Sequence, residues 1–270
     1  MKATILVDNI SSEKAKGEWG LCIYIEYKDK KVLLDTGASN LFLKNASVYG
    51  IDISDIDYAV LSHAHYDHAN GMEGFFGKNE KAKFYLQKSC CNPCYFKKLF
   101  FRHHIGIPKT VIPKFDNRIC LVEQDTQISD GIWLIPHKTK GLEAIGKQES
   151  MYVKTQNGLI PDDFSHEQSL VFEVEDGLVV FNSCSHGGAA NIIKEVQESF
   201  PERKVKALIG GFHIFKKSRK EVLELARKIQ DTGIEVIYTG HCTGEKSFHV
   251  LEEVLGEQAK QLKVGLTIEF

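Results

Sequence analysis

Short apolar runs, separated by polar and turn-forming residues, dominate the N-terminal quarter of the chain. Runs of about four to eight residues that are rich in β-branched and aromatic side chains predict β-strands, whereas apolar positions spaced three and four apart predict helices. We therefore predict strands over residues 2–9, 19–27, 31–35 and 58–61, with a helix near 41–51.

The C-terminal half alternates more clearly between the two periodicities. Its pattern predicts strands over 133–135, 169–174, 178–182, 205–209, 235–238 and 262–268, and helices over 189–200, 217–230 and 245–255. Strands followed by helices in both halves predict an α/β (α+β) fold, in which two β-sheets pack together and helices cover their outer faces.

Two segments, 87–118 and 137–165, lack a regular pattern and contain several prolines and glycines. Long irregular stretches in a compact protein are typical of lids and binding loops. We therefore predict one domain over residues 1–270 with irregular, lid-like segments at these two places. The aromatic cluster between Tyr95 and Phe101 is expected to pack in the core or in a lid, and residues 95–107 could instead form an interface in a homo-oligomer.

Charge and composition narrow the class of partner. Lys and Arg number 34 against 36 Asp and Glu, for a net charge of -2, and no apolar run reaches the roughly 18 residues that span a bilayer. This balance gives no reason to expect nucleic acid or a membrane as partner, so we expect a small-molecule substrate. Seven cysteines, an odd number, favour a reducing and hence cytoplasmic location over a disulfide framework.

The strongest chemical signal is the run from His63 to His68, which follows a short apolar strand and places three imidazoles and one carboxylate within six residues. Imidazole and carboxylate are ligands that suit zinc, iron and manganese. In an extended segment His63 and His65 point to the same face. If the chain then turns into a helix, Asp67 and His68 reach a neighbouring position, so one segment can serve two metals.

Three later strands also end in histidine, at His186, His213 and His241. Each position alone is a weak signal, since a single histidine is as often structural as functional. Together with the first motif, the three are expected to converge on one site. Cys184 and Cys242 lie beside two of these histidines and are expected to line the site, whereas Cys90, Cys91 and Cys94 are expected to be structural or on the surface.

The motif His63-Ala64-His65-Tyr66-Asp67-His68, together with Leu33-Leu34-Asp35-Thr36-Gly37, resembles the metallo-β-lactamase superfamily. The resemblance implies an αββα sandwich of two mixed β-sheets, with the metals at the sheet edges and His241 as a ligand. It also implies a bridging carboxylate after a later strand, but this chain has Asn182-Ser183 there. We infer that His186 takes over a ligand role.

Four further blocks narrow the resemblance: Glu167–Leu170, Cys184–Gly188, Gly210–His213 and His241–Gly244. They resemble the branch of 7,8-dihydropterin-6-methyl-4-(β-D-ribofuranosyl)aminobenzene 5'-phosphate synthases. That branch has an acidic residue where this chain has His166. An additional metal ligand, a substrate contact and an exposed side chain are all open for His166.

The predicted site follows from these assignments. We expect two divalent metal ions, with zinc first and manganese or iron as alternatives, to activate a water at a dinuclear centre. The predicted metal ligands are His63, His65, Asp67, His68, His186 and His241. The predicted catalytic residues are Asp67, His213 and Asp35, where Asp35 fixes a ligand imidazole and His213 binds substrate or acts as a general acid.

The leading hypothesis is a metal-dependent hydrolase that acts on a small phosphorylated or ester substrate. A condensing synthase of the dihydropterin type would keep the site and change the chemistry. A di-iron redox protein and a non-catalytic binding module are further alternatives. The first would normally carry an additional electron-transfer module, and the second would be expected to have lost part of the ligand set.

Overall fold

The computed structural model describes all 270 residues, arranged in eighteen strands and eight helices. The strands are β1 (Lys2–Val7), β2 (Cys22–Tyr27), β3 (Lys30–Leu34), β4 (Tyr58–Val60), β5 (Lys83–Gln87), β6 (Cys94–Lys98), β7 (Phe101–His104), β8 (Ile119–Val122), β9 (Thr126–Ser129), β10 (Ile132–Pro136), β11 (Met151–Thr155), β12 (Gly158–Pro161), β13 (Gln168–Val174), β14 (Gly177–Phe181), β15 (Val205–Gly210), β16 (Val236–Thr239), β17 (Ala259–Gln261) and β18 (Thr267–Glu269). The helices are α1 (Leu41–Val48), α2 (Tyr66–Ala69), α3 (Met72–Phe76), α4 (Val111–Lys114), α5 (Glu143–Glu149), α6 (Ala189–Ser199), α7 (Arg219–Gln230) and α8 (Glu245–Leu255). None of these helices has the length and apolar character that a membrane span requires.

The first large sheet contains seven strands in the order β18-β1-β2-β3-β4-β5-β8, and we call it the N-terminal sheet. Its first four strands are antiparallel neighbours, whereas β3, β4, β5 and β8 run parallel. In the parallel part, Leu34 pairs with Val60. The carboxyl ends of β3 and β4 therefore lie side by side, and the residues that follow them share one edge of the sheet.

The second large sheet, the C-terminal sheet, has the order β17-β16-β15-β14-β13-β10-β9. Strands β14 to β17 run parallel, with Phe181 paired with Ile209 and Ile209 with Tyr238. Helices α6 and α7 connect these strands, as parallel pairing requires a crossover. The ends of three successive parallel strands consequently meet at one edge.

The two large sheets pack face to face. A buried apolar cluster between them takes Ile5, Ile23 and Leu34 from one sheet and Phe172 and Phe181 from the other. Helices α1 to α3 cover the outer face of the N-terminal sheet, and α6 to α8 cover that of the C-terminal sheet. The arrangement confirms the predicted αββα sandwich of mixed sheets.

A third sheet corrects one prediction. The segments 87–118 and 137–165, predicted to be irregular, supply β6, β7, β11 and β12, which form a four-stranded sheet in the order β12-β11-β6-β7. Several of the prolines and glycines lie inside regular elements of these segments, with Pro113 in α4, Gly146 in α5 and Pro161 in β12. The strands themselves are short and partly exposed, so they lack the apolar runs by which the longer strands are recognised.

Candidate metal centre

The predicted site residues gather where strands of both large sheets end. Asp35 follows β3, His63 follows β4, His186 follows β14, His213 follows β15 and His241 follows β16. Three of these five, Asp35, His213 and His241, have left-handed backbone, with φ of 59°, 48° and 46°. Such conformations are costly for residues other than glycine and concentrate at functional sites.

The first group of ligand atoms consists of His63, His65 and His186, whose ring nitrogens lie within 4.8 Å of one another. The Nε2 atoms of His63 and His65 and both ring nitrogens of His186 are buried without a hydrogen-bond partner. Burial, together with neighbouring histidines such as His166, lowers the pKa of His65 to about 3. Burial likewise holds the pKa values of His63 and His186 well below the ordinary value. The three rings are therefore neutral and offer lone pairs.

The second group consists of Asp67, His68 and His241. The Nε2 atoms of His68 and His241 lie 3.2 Å apart, and Asp67 Oδ2 lies 3.4 Å from the Nε2 of His241 and 3.9 Å from that of His68. Burial raises the pKa of the Asp67 carboxyl, but in the metal-free protein the charge of His68 and the contact with His241 together outweigh this effect and lower that pKa far below its usual range. Asp67 is therefore a carboxylate.

The outer partners of these rings fix where their protons sit. His68 Nδ1 lies 2.7 Å from Asp35 Oδ2, and His241 Nδ1 lies 3.1 Å from Asn9 Oδ1. Both oxygens only accept, so each Nδ1 carries a proton and, in the neutral ring, each Nε2 carries a lone pair. Burial lowers the pKa of His68, but Asp67 and Asp35 outweigh burial and raise it, so a metal has to displace a proton from this ring. Two lone pairs and a carboxylate then face one another across less than 4 Å. Their mutual repulsion is relieved by a divalent cation, so the residues present fit a metal site.

Asp35 organises both groups. Its Oδ1 accepts the backbone N–H of Ser62 at 2.7 Å, and its Oδ2 accepts the Ser62 hydroxyl at 2.7 Å. Because that hydroxyl donates to Asp35, its oxygen accepts from His63 Nδ1 at 2.9 Å. The Asp35 carboxylate therefore orients His68 directly and His63 through Ser62, as outer partners of metal-binding histidines do.

Comparison with known proteins agrees with this arrangement. The model of the metallo-β-lactamase superfamily matches residues 19–146. The crystal structure of Tm1679, a metal-dependent hydrolase of the β-lactamase superfamily, superimposes with a TM-score of 0.85 at 27% identity and covers 100% of this chain and 99% of that one. Residues 19–146 thus match the metallo-β-lactamase superfamily, and the whole chain shares the fold of a hydrolase of that superfamily.

Two further proteins show how far the similarity extends. A 7,8-dihydropterin-6-methyl-4-(β-D-ribofuranosyl)-aminobenzene-5'-phosphate synthase of Methanocaldococcus jannaschii is 26% identical, over 93% of this chain and 90% of that protein. The zinc-bound PqqB of Methylobacterium extorquens superimposes with a TM-score of 0.61, at 10% identity, over 100% of both chains. The second comparison supports the fold alone.

His213 lies at the rim of the site rather than in either ligand group. Its Nε2 is 2.9 Å from Glu149 Oε2, and its Nδ1 has no partner. Burial lowers the pKa of His213, but contacts with Cys242 and Glu149 outweigh burial and raise it to about 10. His213 is therefore a cation in the metal-free protein, and bound metal ions would lower this pKa again by repulsion.

His166 is buried, so of the three alternatives for it the exposed one is wrong. Its Nε2 lies 3.1 Å from Asp162, and its Nδ1 accepts the N–H of Ala64 at 3.3 Å. Both ring nitrogens thus have partners within the protein. The ring stands behind His65, where it supports the ligand loop.

Several supporting residues were not singled out by the sequence. Glu167 accepts the N–H groups of His186 and Gly187 at 3.0 and 3.2 Å, and Asp8 accepts the N–H of His241 at 2.9 Å. Asn9 and Ser62 act as described above. The sequence marks these four residues only by their place next to the end of an apolar strand. Many polar residues share that place.

A cavity of about 280 Å³ opens beside the two ligand groups. His65, Asp67 and His213 line its inner end, and its walls are largely apolar, formed by Trp19, Phe96, Ile105, Met151 and Phe215. Phe96 and Met151 belong to the third sheet. The segments predicted as lids therefore border the site, although as strands.

Proposed function

We propose that the protein is a metal-dependent hydrolase that uses a metal-activated water at a dinuclear site to cleave a small phosphorylated or ester substrate. The observation that carries this proposal is the pair of ligand groups beside the cavity. The first has buried ring nitrogens without partners, and in the second the Asp67 carboxylate faces two imidazole nitrogens within 4 Å. Two divalent cations, zinc first and manganese or iron as alternatives, supply Lewis acidity and lower the pKa of a water to about 7 when bound.

The residues of the chain hold the cations, orient the ligand histidines and supply a proton. Asp67 is placed to hold a cation, and Asp35 keeps the lone pairs of His63 and His68 directed inward. His213 holds a proton on Nδ1, which has no partner within the protein. That N–H can donate to the oxygen on which negative charge develops, or protonate the leaving group.

The shape and charge of the cavities support a small anionic substrate. The apolar walls around Trp19 and Phe215 suit an organic group of modest size. A second cavity of about 380 Å³ shares His213 and Phe215 with the first and is lined by Lys98, Lys216 and Lys217 and also by Glu149 and Glu221. Both carboxylates lie near Lys217, so Lys98 and Lys216 are the two lysines that would attract a phosphate group placed there.

The test combines metal analysis with hydrolysis of bis(p-nitrophenyl) phosphate and p-nitrophenyl acetate. We expect about two equivalents of zinc per chain, with activity lost on chelation and restored by zinc. His68→Ala should lose one equivalent and the activity, whereas His249→Ala, on an exposed face of α8, should retain both. Hydrolysis that continues in fully chelated protein would contradict the proposal.

A synthase of the dihydropterin type is the second candidate, because the similarity to the Methanocaldococcus enzyme extends over 93% of this chain. It is tested by supplying a dihydropterin with a leaving group on its 6-methyl carbon together with 4-(β-D-ribofuranosyl)aminobenzene 5'-phosphate. A joined product in the mass spectrum, without hydrolysis of the esters above, would favour the synthase.

A further inference from the structure

The turn between β6 and β7 exposes three consecutive apolar side chains, which we call the hairpin tip. Leu99, Phe100 and Phe101 are 81%, 100% and 80% exposed, and no other large apolar side chain is more than 51% exposed. The prediction that this aromatic cluster packs in the core or in a lid is therefore wrong for Phe100 and Phe101. Single exposed apolar residues are ordinary, whereas a contiguous exposed group marks a contact with a partner or a membrane.

The conformation of the turn does not explain these residues. Lys98 pairs with Phe101, so Leu99 and Phe100 alone form the loop of a two-residue hairpin. Leu99 has left-handed backbone, with φ of 53°. Gly, Asn and Asp suit such a position, because they adopt a positive φ at little cost. A leucine is less favourable there, so folding of the turn does not account for its apolar side chain.

The hairpin also carries positive charge without balancing carboxylates. No Asp or Glu occurs in residues 81–115. The exposed cations of the hairpin are Lys97, Lys98 and Arg102. None of the three pairs with a carboxylate, in contrast to Lys88 and Lys114 in the same segment. Lys98 lines the second cavity, whereas Lys97 and Arg102 are cross-strand partners on the opposite face of the hairpin and remain available to an anionic partner.

An anionic lipid surface fits this combination better than a second copy of the chain or a nucleic acid. In a symmetric dimer through the hairpin, the basic strands of the two copies would lie together and repel. Single-stranded nucleic acid binds along a basic groove with aromatic platforms, whereas these residues form an exposed tip. Leucine and phenylalanine beside Lys and Arg are typical of segments that enter the interface of a membrane with anionic lipids.

We propose that the hairpin tip enters the interface of a bilayer that carries anionic lipids, while Lys97 and Arg102 contact the headgroups. The tip lies near the metal centre. Phe96 and His103 are cross-strand partners that line the first cavity, and Phe101 lies two residues farther out on the same face of the hairpin. Docking therefore places the mouth of this cavity beside the lipid surface. This role is separate from the proposed function and does not rest on it.

Vesicle sedimentation with the whole, zinc-loaded chain tests the proposal. Vesicles with equal parts of phosphatidylcholine and phosphatidylserine should carry the protein into the pellet, and vesicles of phosphatidylcholine alone should carry much less of it. Lys97→Gln with Arg102→Gln should weaken binding about 25-fold, since each cation near such a surface contributes about fivefold. Lys194→Gln with Arg227→Gln, on exposed faces of α6 and α7, removes the same charge and should bind as wild-type protein does.

Replacement of all three residues of the hairpin tip by serine tests insertion. Binding to the same vesicles should weaken about 100-fold or more, because burial of each such side chain contributes about tenfold or more. Val48→Ser with Leu121→Ser, the most exposed large apolar residues outside the tip and the cavity, should bind as wild-type protein does. Zinc content and circular dichroism of every variant should match wild-type protein, since the changed side chains are exposed.

Four results would overturn the proposal. Wild-type protein could stay in the supernatant with both kinds of vesicle. The control with changes in α6 and α7 could lose as much binding as the change in the hairpin. A dimer that the serine variant dissociates, without vesicle binding, would assign the tip to a second copy. Binding of a single-stranded oligonucleotide in place of vesicles would assign it to nucleic acid. None of these results would touch the metal-dependent hydrolysis.

Discussion

Replacement of Asp35 by Asn is the most direct test of how the site is organised, because the change keeps the side chain's shape and removes one acceptor and the charge. The carboxylate accepts three hydrogen bonds of 2.7 Å, two from Ser62 and one from His68 Nδ1. Whichever of the two oxygens the amide NH₂ replaces, it faces at least one of these donors. The less costly orientation leaves the buried N–H of Ser62 without an acceptor.

The expected magnitudes follow from these contacts. An unsatisfied buried N–H costs about 1–3 kcal/mol, so the free energy of unfolding of the metal-free variant should be lower by that amount. The variant should therefore unfold at a lower urea concentration. Asp35→Asn also replaces the anionic outer partner of His68 by a neutral amide. Mutation of such a partner typically weakens metal binding about 10–100-fold, which is about 1.4–2.7 kcal/mol. Competition with a chromogenic chelator measures the zinc affinity, and urea titration of chelated protein measures the stability.

The matched control is Asp57→Asn, at the opposite, amino end of β4. Asp57 Oδ2 accepts the backbone N–H of Lys31 at 2.9 Å and touches no ligand histidine. This variant should bind zinc as wild-type protein does. Wild-type zinc affinity in Asp35→Asn would refute the reasoning, since the negative charge of this carboxylate would then contribute nothing to the ligand histidine that it contacts.

Three further predictions concern stability. Burial lowers the pKa of His137 and raises that of Glu195, but their contact at 2.9 Å outweighs burial, so the pKa of His137 is raised from 6.5 and that of Glu195 lowered from 4.5. Wild-type protein should therefore have a higher free energy of unfolding than Glu195→Gln, and the difference should be largest between pH 4.5 and 6.5 and decline on both sides. A difference that does not change with pH in urea titrations would contradict the ion pair. Gly210→Ala should destabilise by about 1–3 kcal/mol in the same assay, since the new Cβ would lie 1.9 Å from a backbone oxygen, whereas Gly233→Ala, with left-handed backbone but open space, should cost less. Zinc at about 100 times its dissociation constant should stabilise the protein by about 2.7 kcal/mol, and a melting temperature unchanged by chelation of loaded protein would contradict a metal site.

The part of the site that the sequence predicts is the part encoded locally. His63, His65, Asp67 and His68 lie within six residues, so their spacing alone indicates ligands for two positions. In the structure His63 and His65 lie within 4.8 Å of His186 and Asp67 lies 3.9 Å from His68, while His63 also lies within 4.8 Å of His68. Strands and helices with long apolar runs were predictable for the same reason, because burial of one face is recorded in the periodicity.

The remainder depends on contacts that no local pattern records. The strands of the third sheet are short, and β6 and β7 carry several charged residues, so only their pairing reveals them. Cys184 was expected to line the site and lies there, with its Sγ 3.4 Å from His68 Nε2, but this position depends on how the end of β14 lies against the ligand loop after β4. The left-handed backbone at Asp35 and His213 is likewise absent from the sequence pattern, since neither residue type requires it.

The hydrogen bonds of His241 show why such features depend on the whole fold. Its backbone N–H donates to Asp8 and its Nδ1 lies 3.1 Å from Asn9, residues 233 and 232 positions earlier in the chain. Both partners extend from the end of β1 in the N-terminal sheet, whereas His241 follows β16 in the C-terminal sheet. The second ligand group is therefore assembled only when the two sheets have packed. Because an ion bound there contacts residues from both halves, metal binding stabilises the interface between the sheets as well as the site, and loss of metal should loosen both together.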